Sequence, residues 1–416
     1  MHRSSAMTGP GGSGWSHGGD RVTHVSYHRK PGFFQKAGDS LCGAVFGFIL
    51  LVAAVPVLFL NEGRAVQTAQ SLDEGLANCV SLRYGSPPFE SNEQRLIHIS
   101  GELSSRMPLE DTQFGVSMTA FRLERRVEML QWVESQETRE YEDRGETRRE
   151  TTYSYNRDWR SDLVRSDSFE ESLRHRNPAM FPISSSTFES PVVNVGEFSL
   201  SNGLLSKLRT ESTIQPQSVA RLRLGPGQKI WDSYVVQAVD PYNFQVGDVR
   251  IRWVYMGCTQ DTGGQAMSGQ LCVPQQVSIV GRQVGSTIGA YQTNAGDVLW
   301  LLYEGTMSAK AIFDAEHSSN NAWTWVLRLL GFFMMFIGLS LITSIVTTIT
   351  SYIPFLGALV SFGVFLLNIS LAMSLSLLVI AIGWLRYRPV LAMTLLAIGM
   401  MPYLVANLKS KPKNED

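Results

Sequence analysis

One uncharged block runs from Leu329 to Leu385 and reads LLGFFMMFIGLSLITSIVTTITSYIPFLGALVSFGVFLLNISLAMSLSLLVIAIGWL. It contains no Asp, Glu, Lys, Arg or His, and such a long run without ionisable side chains is typical of polypeptide in a lipid bilayer. A second apolar segment, Leu41–Leu60, reads LCGAVFGFILLVAAVPVLFL. As a helix it would extend about 30 Å, the thickness of the hydrocarbon core of a membrane. The chain is therefore predicted to be an integral membrane protein.

Breaks in the apolar sequence divide its C-terminal part into segments. Pro354 interrupts the uncharged block, and Arg386 and Arg388 precede a last apolar run. The predicted transmembrane helices are residues 41–60, 329–350, 362–382 and 390–406. With four crossings, both arginines would lie on the luminal side, against the usual preference of positive charges for the cytosolic side. A re-entrant hairpin at the C-terminal end is the alternative topology.

The charges that flank the first apolar segment predict its orientation. Three basic residues, Arg29, Lys30 and Lys36, precede the segment, whereas one acidic and one basic residue follow it closely. Because positive charge favours the cytosolic side, the N-terminus is expected in the cytosol or nucleoplasm. Residues 61–322 are then expected in the lumen.

The luminal segment begins with helical spacing and continues with the pattern of β-structure. Apolar side chains in residues 64–82 predict an amphipathic helix that leaves the membrane. Apolar and charged residues alternate from Phe121 to Glu134, which predicts a long strand with one face in water. Turn-forming residues 142–145 lead to a returning strand near Tyr153, so a long β-ribbon is expected. Further predicted strands are Val192–Leu200, Val246–Tyr255, Gln276–Val284 and Asp297–Tyr303.

These patterns together predict the fold class. The chain is expected to be an α+β multi-pass membrane protein. It would have four transmembrane helices, one N-terminal and three C-terminal, and a large β-rich luminal domain.

Both ends of the chain are predicted to be basic tails. Residues 1–40 begin with a segment rich in Gly, Ser and His, which cannot bury enough apolar surface to fold, so this tail is expected to be disordered. Residues 407–416 form the C-terminal tail on the same side of the membrane. Residues 14–18, GWSHG, match the G-x-S-x-G pattern of a nucleophile elbow, but they lack the flanking strand and helix that hold such a serine. We interpret this match as coincidence.

The remaining sequence offers little chemistry. The formal net charge is −1 and Lys and Arg form no stripe, which argues against binding of nucleic acid through its phosphates. The sequence has no phosphate-binding loop, dinucleotide fingerprint or metalloprotease motif. His98, His175 and His317 lack partners at the spacing of metal ligands or of a catalytic triad, so we interpret each as structural. We therefore expect a protein that is not an enzyme and that has no catalytic residue, cofactor or metal.

Small and polar residues in the predicted spans indicate where helices pack. Gly43 and Gly47 form a GxxxG motif, which lets two helix backbones approach closely in lipid. Ser370 and Ser374 form a second face of small residues, and Asn368 can hydrogen-bond to another helix. We interpret these residues as sites of helix packing or oligomerisation. A pore lining is the alternative.

Two of the four cysteines lie close together in the sequence. Cys258 and Cys272 flank a Gly-rich turn, residues 262–269. They could form a disulfide if this region faces an oxidising lumen. Two free thiols are equally consistent with the sequence.

Several strings of residues, in order and at consistent distances, resemble one known family. The strings are Asn61-Glu62-Gly63-Arg64, Glu128-Met129-Leu130-Gln131-Trp132-Val133-Glu134, His175-Arg176-Asn177-Pro178 and Tyr387-Arg388-Pro389. They are similar to the transmembrane protein 43 family, also called LUMA. The resemblance runs from about Pro31 to Ala406 and does not extend to residues 1–30.

The resemblance implies a location and a role. Members of this family are four-span proteins of the endoplasmic reticulum membrane and the nuclear inner membrane, with a large luminal domain. The implied function is that of a non-enzymatic scaffold that self-associates and helps to maintain the structure of the nuclear envelope. Links of the family to membrane conductance and to signalling complexes make an oligomeric channel or a signalling adaptor the alternative. The expected partners are membrane lipid, further copies of the chain, emerin and lamins, and not nucleic acid.

Overall fold

The computed structural model describes residues 14–18, 21–29, 33–105, 107–143, 146–260, 272–350 and 356–394. These residues form two compact units. The β-rich unit contains Val80–Gly289, Trp300–Met307 and the described residues up to Arg29. The helical unit contains the described residues of Pro31–Cys79, Ala290–Leu299 and Ser308–Asp416.

The helices are α1 (Phe33–Asn78), α2 (Asn202–Leu205), α3 (Ala309–Thr350) and α4 (Leu356–Tyr387). Three of them, α1, α3 and α4, are long and apolar enough to cross a membrane. Only 17%, 17% and 22% of the residues in their most apolar windows are buried within the chain. The apolar side chains that remain exposed are suited to contact with lipid, because lipid is the solvent in which such a surface is stable.

The long helices extend beyond the predicted spans. Helix α1 starts before Leu41, continues through Pro56 and includes most of the amphipathic segment 64–82 that was expected as a separate helix. Its polar half, residues 62–78, is rich in Ala, Glu, Gln and Leu, which favour helix and give no reason for a break. At 46 residues, α1 is about 69 Å long, roughly twice the thickness of the hydrocarbon core.

The helical unit therefore contains parts of the chain that were expected in the β-rich domain. Helix α3 begins at Ala309, well before the predicted span that starts at residue 329. The polar halves of α1 and α3 contact each other and group with the apolar halves, so residues 61–322 do not fall into a single unit.

The last predicted span is only partly described. Helix α4 ends at Tyr387, and residues 389–394 are helical again. The rest of the predicted span 390–406, and the tail 407–416, lie outside the described residues.

The β-strands follow one another in chain order as β1 (Gly14–Gly18), β2 (Arg21–Arg29), β3 (Val80–Ser81), β4 (Leu96–Ser105), β5 (Leu109–Asp111), β6 (Val116–Met118), β7 (Arg122–Asp143), β8 (Glu146–Arg160), β9 (Ser186–Glu189), β10 (Val193–Val195), β11 (Phe198–Leu200), β12 (Ser212–Ile214), β13 (Gln228–Trp231), β14 (Tyr234–Gln237), β15 (Val249–Met256), β16 (Cys258–Gln260), β17 (Cys272–Pro274), β18 (Gln276–Val284), β19 (Thr287–Gly289), β20 (Tyr291–Gln292), β21 (Val298–Leu299) and β22 (Leu301–Glu304). Two larger sheets of these strands build the β-rich unit.

The first sheet has nine strands, with the central order β1-β2-β8-β7-β15-β14-β13. Strands β7 and β8 pair from Met129↔Arg160 to Asp143↔Glu146, which confirms the predicted β-ribbon. The apolar side chains of β7 face the core as expected: Val127 and Met129 are 1% and 0% exposed. They pack in a core with Ile251 and Trp253 of β15.

Part of the tail that was predicted to be disordered, residues 1–40, is ordered. Strand β2 pairs with β8 along its whole length, and Val22 is only 1% exposed. The open edge of β8 offers unpaired backbone groups, which a neighbouring segment can satisfy even when its composition is poor in apolar residues. Residues 14–18 form β1, which pairs with β2, so the G-x-S-x-G match lies in a strand and not in a strand-to-helix turn.

A buried ion pair lies in the core of this first sheet. Arg125 Nη1 donates to both carboxylate oxygens of Asp111 at 2.9 and 3.0 Å, and both side chains are almost fully buried. Trp253 Nε1 donates to Asp111 Oδ2 at 2.9 Å. With these bonds the carboxylate has partners on both oxygens, as a buried charge requires.

The second sheet has seven strands and closes on itself. Its order is β22-β18-β19-β11-β10-β4-β3, and β18 also pairs with β4, which completes a ring of five strands. Apolar side chains of six strands of this sheet and of α2 fill the core, among them Ile99, Phe198 and Ile279. Strand Val192–Leu200 was predicted as one element, but it is the hairpin β10–β11, because Gly196 at φ 57° reverses the chain.

A buried polar network lies where the chain leaves this sheet. His98 Nε2 donates to the carbonyl of Met307 at 2.9 Å, and Ser278 Oγ accepts from the Met307 N–H at 2.7 Å. His98 is 6% exposed, and its Nδ1 has no hydrogen-bond partner among the described residues. Burial is the main cause that lowers the pKa of His98, partly opposed by the bond to Met307. The neutral ring is therefore the stable form.

We expect His98 to make the stability of the protein depend on pH. Because its pKa is lower in the folded than in the unfolded chain, the unfolded chain binds more protons below about pH 6.5. The contribution of His98 is complete above that pH and is lost as the pH falls. The free energy of unfolding should decrease from about pH 6.5 to pH 5, and His98→Gln should decrease less over this range. Equal slopes for both proteins would contradict the role assigned to His98.

Candidate functional site

The charged residues that border the apolar segments meet in the helical unit. Glu62 of α1 is fully buried, and its carboxylate accepts two hydrogen bonds from Arg328 of α3. Arg328 Nε lies 2.7 Å from Oε1, and Nη2 lies 2.9 Å from Oε2. Two parallel bonds of this kind between opposite charges are among the stronger polar contacts in proteins. We refer to Glu62, Arg328 and the residues that contact them as the Glu62 cluster.

Helix α4 joins the same cluster. Trp384 Nε1 donates to Glu62 Oε2 at 2.9 Å. The guanidinium of Arg328 lies 5.0 Å from the ring of Trp325 and 5.8 Å from the ring of Trp384. A hypothetical Cβ on Gly383 would lie 3.1 Å from Glu62 Cβ, so Gly383 allows the close approach of α4 to α1. The single carboxylate of Glu62 thus connects all three long helices.

Hydrogen bonds to uncharged acceptors extend the cluster along α1 and α3. Arg64 Nη1 donates to Asn320 Oδ1 at 2.9 Å, and its Nη2 donates to Thr324 Oγ1 at 3.1 Å. Asn61 Nδ2 donates to the Thr324 carbonyl at 3.1 Å. Asn320 Nδ2 donates to the Ala65 carbonyl at 2.9 Å. These bonds fix the register of the two helices just beyond their apolar halves.

Sequence reasoning missed this cluster. It placed Glu62 and Arg64 after the first span and Arg328 before the second, but it did not pair them. Opposite charges at the borders of two apolar segments were the available signal, because buried charges in such places require partners. The part played by Trp384 has no comparable signal in the sequence.

The predicted GxxxG residues lie against α3. A hypothetical Cβ on Gly47 would be 2.5 Å from the Gly338 carbonyl oxygen, and one on Gly338 would be 2.7 Å from the Gly47 carbonyl oxygen. Gly43 has more room, with Leu341 at 3.9 Å from its hypothetical Cβ. Backbones can approach this closely only where both helices carry glycine. Within one chain, the GxxxG face therefore packs α1 against α3.

The predicted polar residues of α4 lie on two different faces. Asn368 is 2% exposed, and its Nδ2 donates to Thr343 Oγ1 of α3 at 2.8 Å. Ser370 and Ser374 are exposed, and Ser374 Oγ donates to the Ser370 carbonyl. The structure thus brings Asn368 to α3 and leaves the two serines uncovered within one chain.

The cysteines have distinct states. Cys258 is disulfide-bonded, whereas Cys42 and Cys79 are free. Strand β16 pairs with β17, with Gln260 opposite Cys272. The side chain of Cys272 lies outside the described residues, so its bond to Cys258 stays a prediction.

The three histidines make ordinary contacts. His175 stacks on the ring of Tyr155 at 3.8 Å, and His317 Nε2 lies 3.1 Å from Asp73 Oδ1. The described part of the chain contains no group of three or more His, Cys, Asp or Glu residues that could hold a metal ion. A cavity of about 50 Å³ lined by Phe121 and Met256 lies in the β-rich unit, which is far smaller than the pockets of small-molecule ligands.

We expect Glu62→Gln to destabilise the protein. Gln is similar in size but uncharged, so Arg328 would be left in a largely buried place without its counterion. The free energy of unfolding in detergent should fall by about 3 kcal/mol. The double variant Glu62→Gln with Arg328→Gln should recover part of this loss. Asp73→Asn, which alters a carboxylate that is 74% exposed, is the control and should change stability by less than about 1 kcal/mol.

We expect Gly47→Leu to separate α1 from α3. Its side chain would overlap the backbone at Gly338, and overpacking of this kind destabilises by about 1–3 kcal/mol. Gly363→Leu is a matched control, because a hypothetical Cβ on Gly363 meets nothing within 4 Å. Thermal unfolding in detergent should show a lower midpoint for the first variant only. Equal midpoints for both would rule out the tight glycine contact.

Comparison with known proteins identifies the family. The sequence profile of the family described as Transmembrane protein 43 matches residues 129–389. Transmembrane protein 43 of Rattus norvegicus is 36% identical over 403 residues, which are 96% of this chain and 98% of the relative. The protein of the same name from Homo sapiens is 35% identical over 394 residues, 94% and 95% of the two chains. The Transmembrane protein 43 homolog of Drosophila melanogaster is 32% identical over 371 residues, 87% and 93% of the two chains.

No solved structure matches the chain. The match to the family profile covers more than half of the sequence, and the relatives are covered almost completely. The chain belongs to the transmembrane protein 43 family.

Proposed function

We propose that this protein is a non-enzymatic scaffold of the endoplasmic reticulum membrane and the nuclear inner membrane. It holds protein complexes together by lateral contacts between transmembrane helices and so helps to maintain the structure of the nuclear envelope. Membership of the transmembrane protein 43 family is the observation that carries this proposal, through the location and role that the resemblance implies.

The exposed surface of α4 supports lateral assembly. Leu359 is 71% exposed and Phe362 is 61% exposed, and the hydroxyls of Ser370 and Ser374 lie on uncovered faces of the same helix. Small residues let helices approach closely in lipid, and hydroxyl groups can then bond across the contact. This surface suits a second copy of the chain or another membrane protein.

The β-rich unit is proposed to lie in the lumen. The disulfide at Cys258 supports this placement, because disulfides persist in oxidising compartments and are rare in the cytosol. Basic residues before the first apolar segment support a cytosolic or nucleoplasmic N-terminus. The same proposal includes four crossings of the membrane.

The proposed partners are membrane lipid, further copies of the chain, emerin and lamins. On a four-span topology, the nucleoplasmic surface is limited to two tails and a short loop. The link to lamins is therefore proposed to pass through a membrane partner such as emerin, with the spans as contact surface. Direct binding of lamin by a purified C-terminal tail, residues 407–416, would contradict this route.

Crosslinking mass spectrometry in intact nuclear envelopes tests the scaffold. Crosslinks from the helical unit to other membrane proteins, and between copies of the chain, are the expected result. The same sample can be treated with protease before solubilisation. The β-rich unit should stay intact in sealed vesicles and be digested after the membrane is opened. Digestion in sealed vesicles would refute the luminal placement.

An oligomeric channel is the alternative, and the outward hydroxyls of α4 are the observation in its favour. Purified protein in liposomes would separate the two functions. A scaffold produces no ion flux above that of empty liposomes, whereas a channel does. A role as a signalling adaptor would show instead as crosslinks to cytosolic signalling proteins.

We expect Ser374→Leu to weaken self-association. A bulky side chain on this uncovered small-residue face would keep a second helix at a distance. Detergent-resistant oligomers should decrease relative to the unaltered protein. Ser361→Leu is the matched control, since Ser361 is also exposed on α4 but lies on another side of the helix. Equal amounts of detergent-resistant oligomer in both variants would exclude the face of Ser374 as the site of self-association.

A further inference from the structure

A cleft of about 500 Å³ opens in the helical unit beside the Glu62 cluster. Residues of α1, of the turn between β20 and β21, and of the end of α4 line it. Its apolar wall includes Leu60, and its polar wall includes Arg64, Gln67, Gln70 and Arg386. The volume is within the range of sites that hold small molecules and headgroups.

Two cations, Arg64 and Arg386, line the cleft, and neither forms an ion pair with a described carboxylate. Two carboxylates contact residues in this region: Glu62 is balanced by Arg328, and Asp297 Oδ1 accepts a hydrogen bond from Gln67 Nε2 of the cleft at 2.7 Å. The guanidinium of Arg64 bonds only to neutral oxygens of Asn61, Asn320 and Thr324. Its Nε has no partner among the described residues.

Arg386 also lacks an ion pair with a described carboxylate. Its side chain is exposed, and its guanidinium lies 5.4 Å from the ring of Tyr387. In the part of the chain that the structure describes, neither Arg64 nor Arg386 forms an ion pair with a carboxylate. Two arginines in one cleft without a counterion favour an anionic ligand.

The position of the cleft along the helices indicates where that anion comes from. Leu60, 60% exposed, belongs to the uncharged half of α1, and Arg386 is the first charged residue after the uncharged part of α4. Gln67 and Gln70 lie one and two turns further into the polar half of α1. The cleft therefore passes from apolar to cationic to polar at the border of the bilayer.

A phospholipid has the same order of groups. Its acyl chains suit the apolar surface at Leu60. Its phosphate can accept two parallel hydrogen bonds from the planar guanidinium group of an arginine, a geometry that other side chains do not offer. Arginines at this depth commonly meet lipid phosphates, because charged side chains near the ends of spans reach for the interface.

We propose that this cleft binds the phosphate of an anionic phospholipid from the adjoining leaflet. Arg386 and Arg64 supply the positive charge, and Gln70 and the Tyr387 hydroxyl lie beside the headgroup, while Gln67 Nε2 remains bonded to Asp297. The site does not depend on the scaffold function, since it requires only that the three long helices lie in a membrane.

Lipid selectivity of the full-length protein tests the site. The protein is reconstituted in phosphatidylcholine nanodiscs, and the motionally restricted fraction of spin-labelled phosphatidic acid is compared with that of spin-labelled phosphatidylcholine. Phosphatidic acid should be preferred by the unaltered protein. Arg386→Gln should reduce the preference by about tenfold, the effect of losing one strong charge-assisted contact. The side chain of Arg386 is exposed, so the fold should be retained.

Two further variants make the result specific. Ala295→Trp fills the cleft without changing a charge and should abolish the preference. Arg388 lies two residues after Arg386, and its side chain does not line the cleft. Arg388→Gln removes the same charge and should leave the preference unchanged. Loss of preference in Arg388→Gln equal to that in Arg386→Gln would indicate diffuse surface charge and overturn the proposal.

The source of the phosphate is tested in the same samples. Soluble glycerol phosphate should not displace the spin-labelled lipid, since it lacks the acyl chains that reach Leu60. Displacement by glycerol phosphate at concentrations similar to those of the lipid would assign the cleft to a free phosphate and overturn the lipid assignment. An unchanged preference in Ala295→Trp would also overturn it.

Discussion

The arrangement of the long helices depends on one buried carboxylate. Glu62 is inaccessible to solvent, and it is satisfied by two bonds from Arg328 and one from Trp384. An ionised group in this place is stable only while all its partners are present, because the low dielectric of the surroundings makes an unpaired charge very unfavourable. The requirement is also directional, since a guanidinium bonds a carboxylate side by side in one plane. One residue thus specifies where the middle of α1, the middle of α3 and the C-terminal end of α4 lie together.

The β-rich unit uses the same principle in water. Arg125 and Asp111 are both buried, and Trp253 completes the set of bonds in the core of the nine-stranded sheet. In the second sheet, closure of the ring between β4 and β18 removes two open edges, which would otherwise be free to pair with other chains. The surrounding cores of Ile, Val and Phe side chains provide the main stabilisation, and the buried polar groups restrict how the strands can be arranged.

Much of this architecture could be predicted from the pattern of side chains. The absence of charge between Leu329 and Leu385 identified two of the long helices, and the alternation before Glu134 identified β7. Patterns of this kind report how each segment meets its solvent, and they are local. They did not reveal the pairing of β2 with β8, because that pairing depends on a distant backbone edge and not on the composition of residues 21–29. The contact of Glu62 with Trp384 joins residues that are 322 positions apart, and no periodicity within either segment reports it. The GxxxG motif was recognised, but only coordinates could assign it to α3 of the same chain rather than to a second copy.

The unbroken course of α1 has a mechanical consequence. Its backbone is helical from Phe33 to Asn78, so the part that lies in lipid and the part that extends into water form one rod. A helix resists bending over such a length far more than a loop would, and sharp bends are confined to places such as Pro56. A change of tilt imposed on one end, by lateral pressure in the bilayer or by a protein bound there, is therefore carried as a lever arm to the other end. The apolar and polar halves of α1 therefore move together, apart from any bend at Pro56.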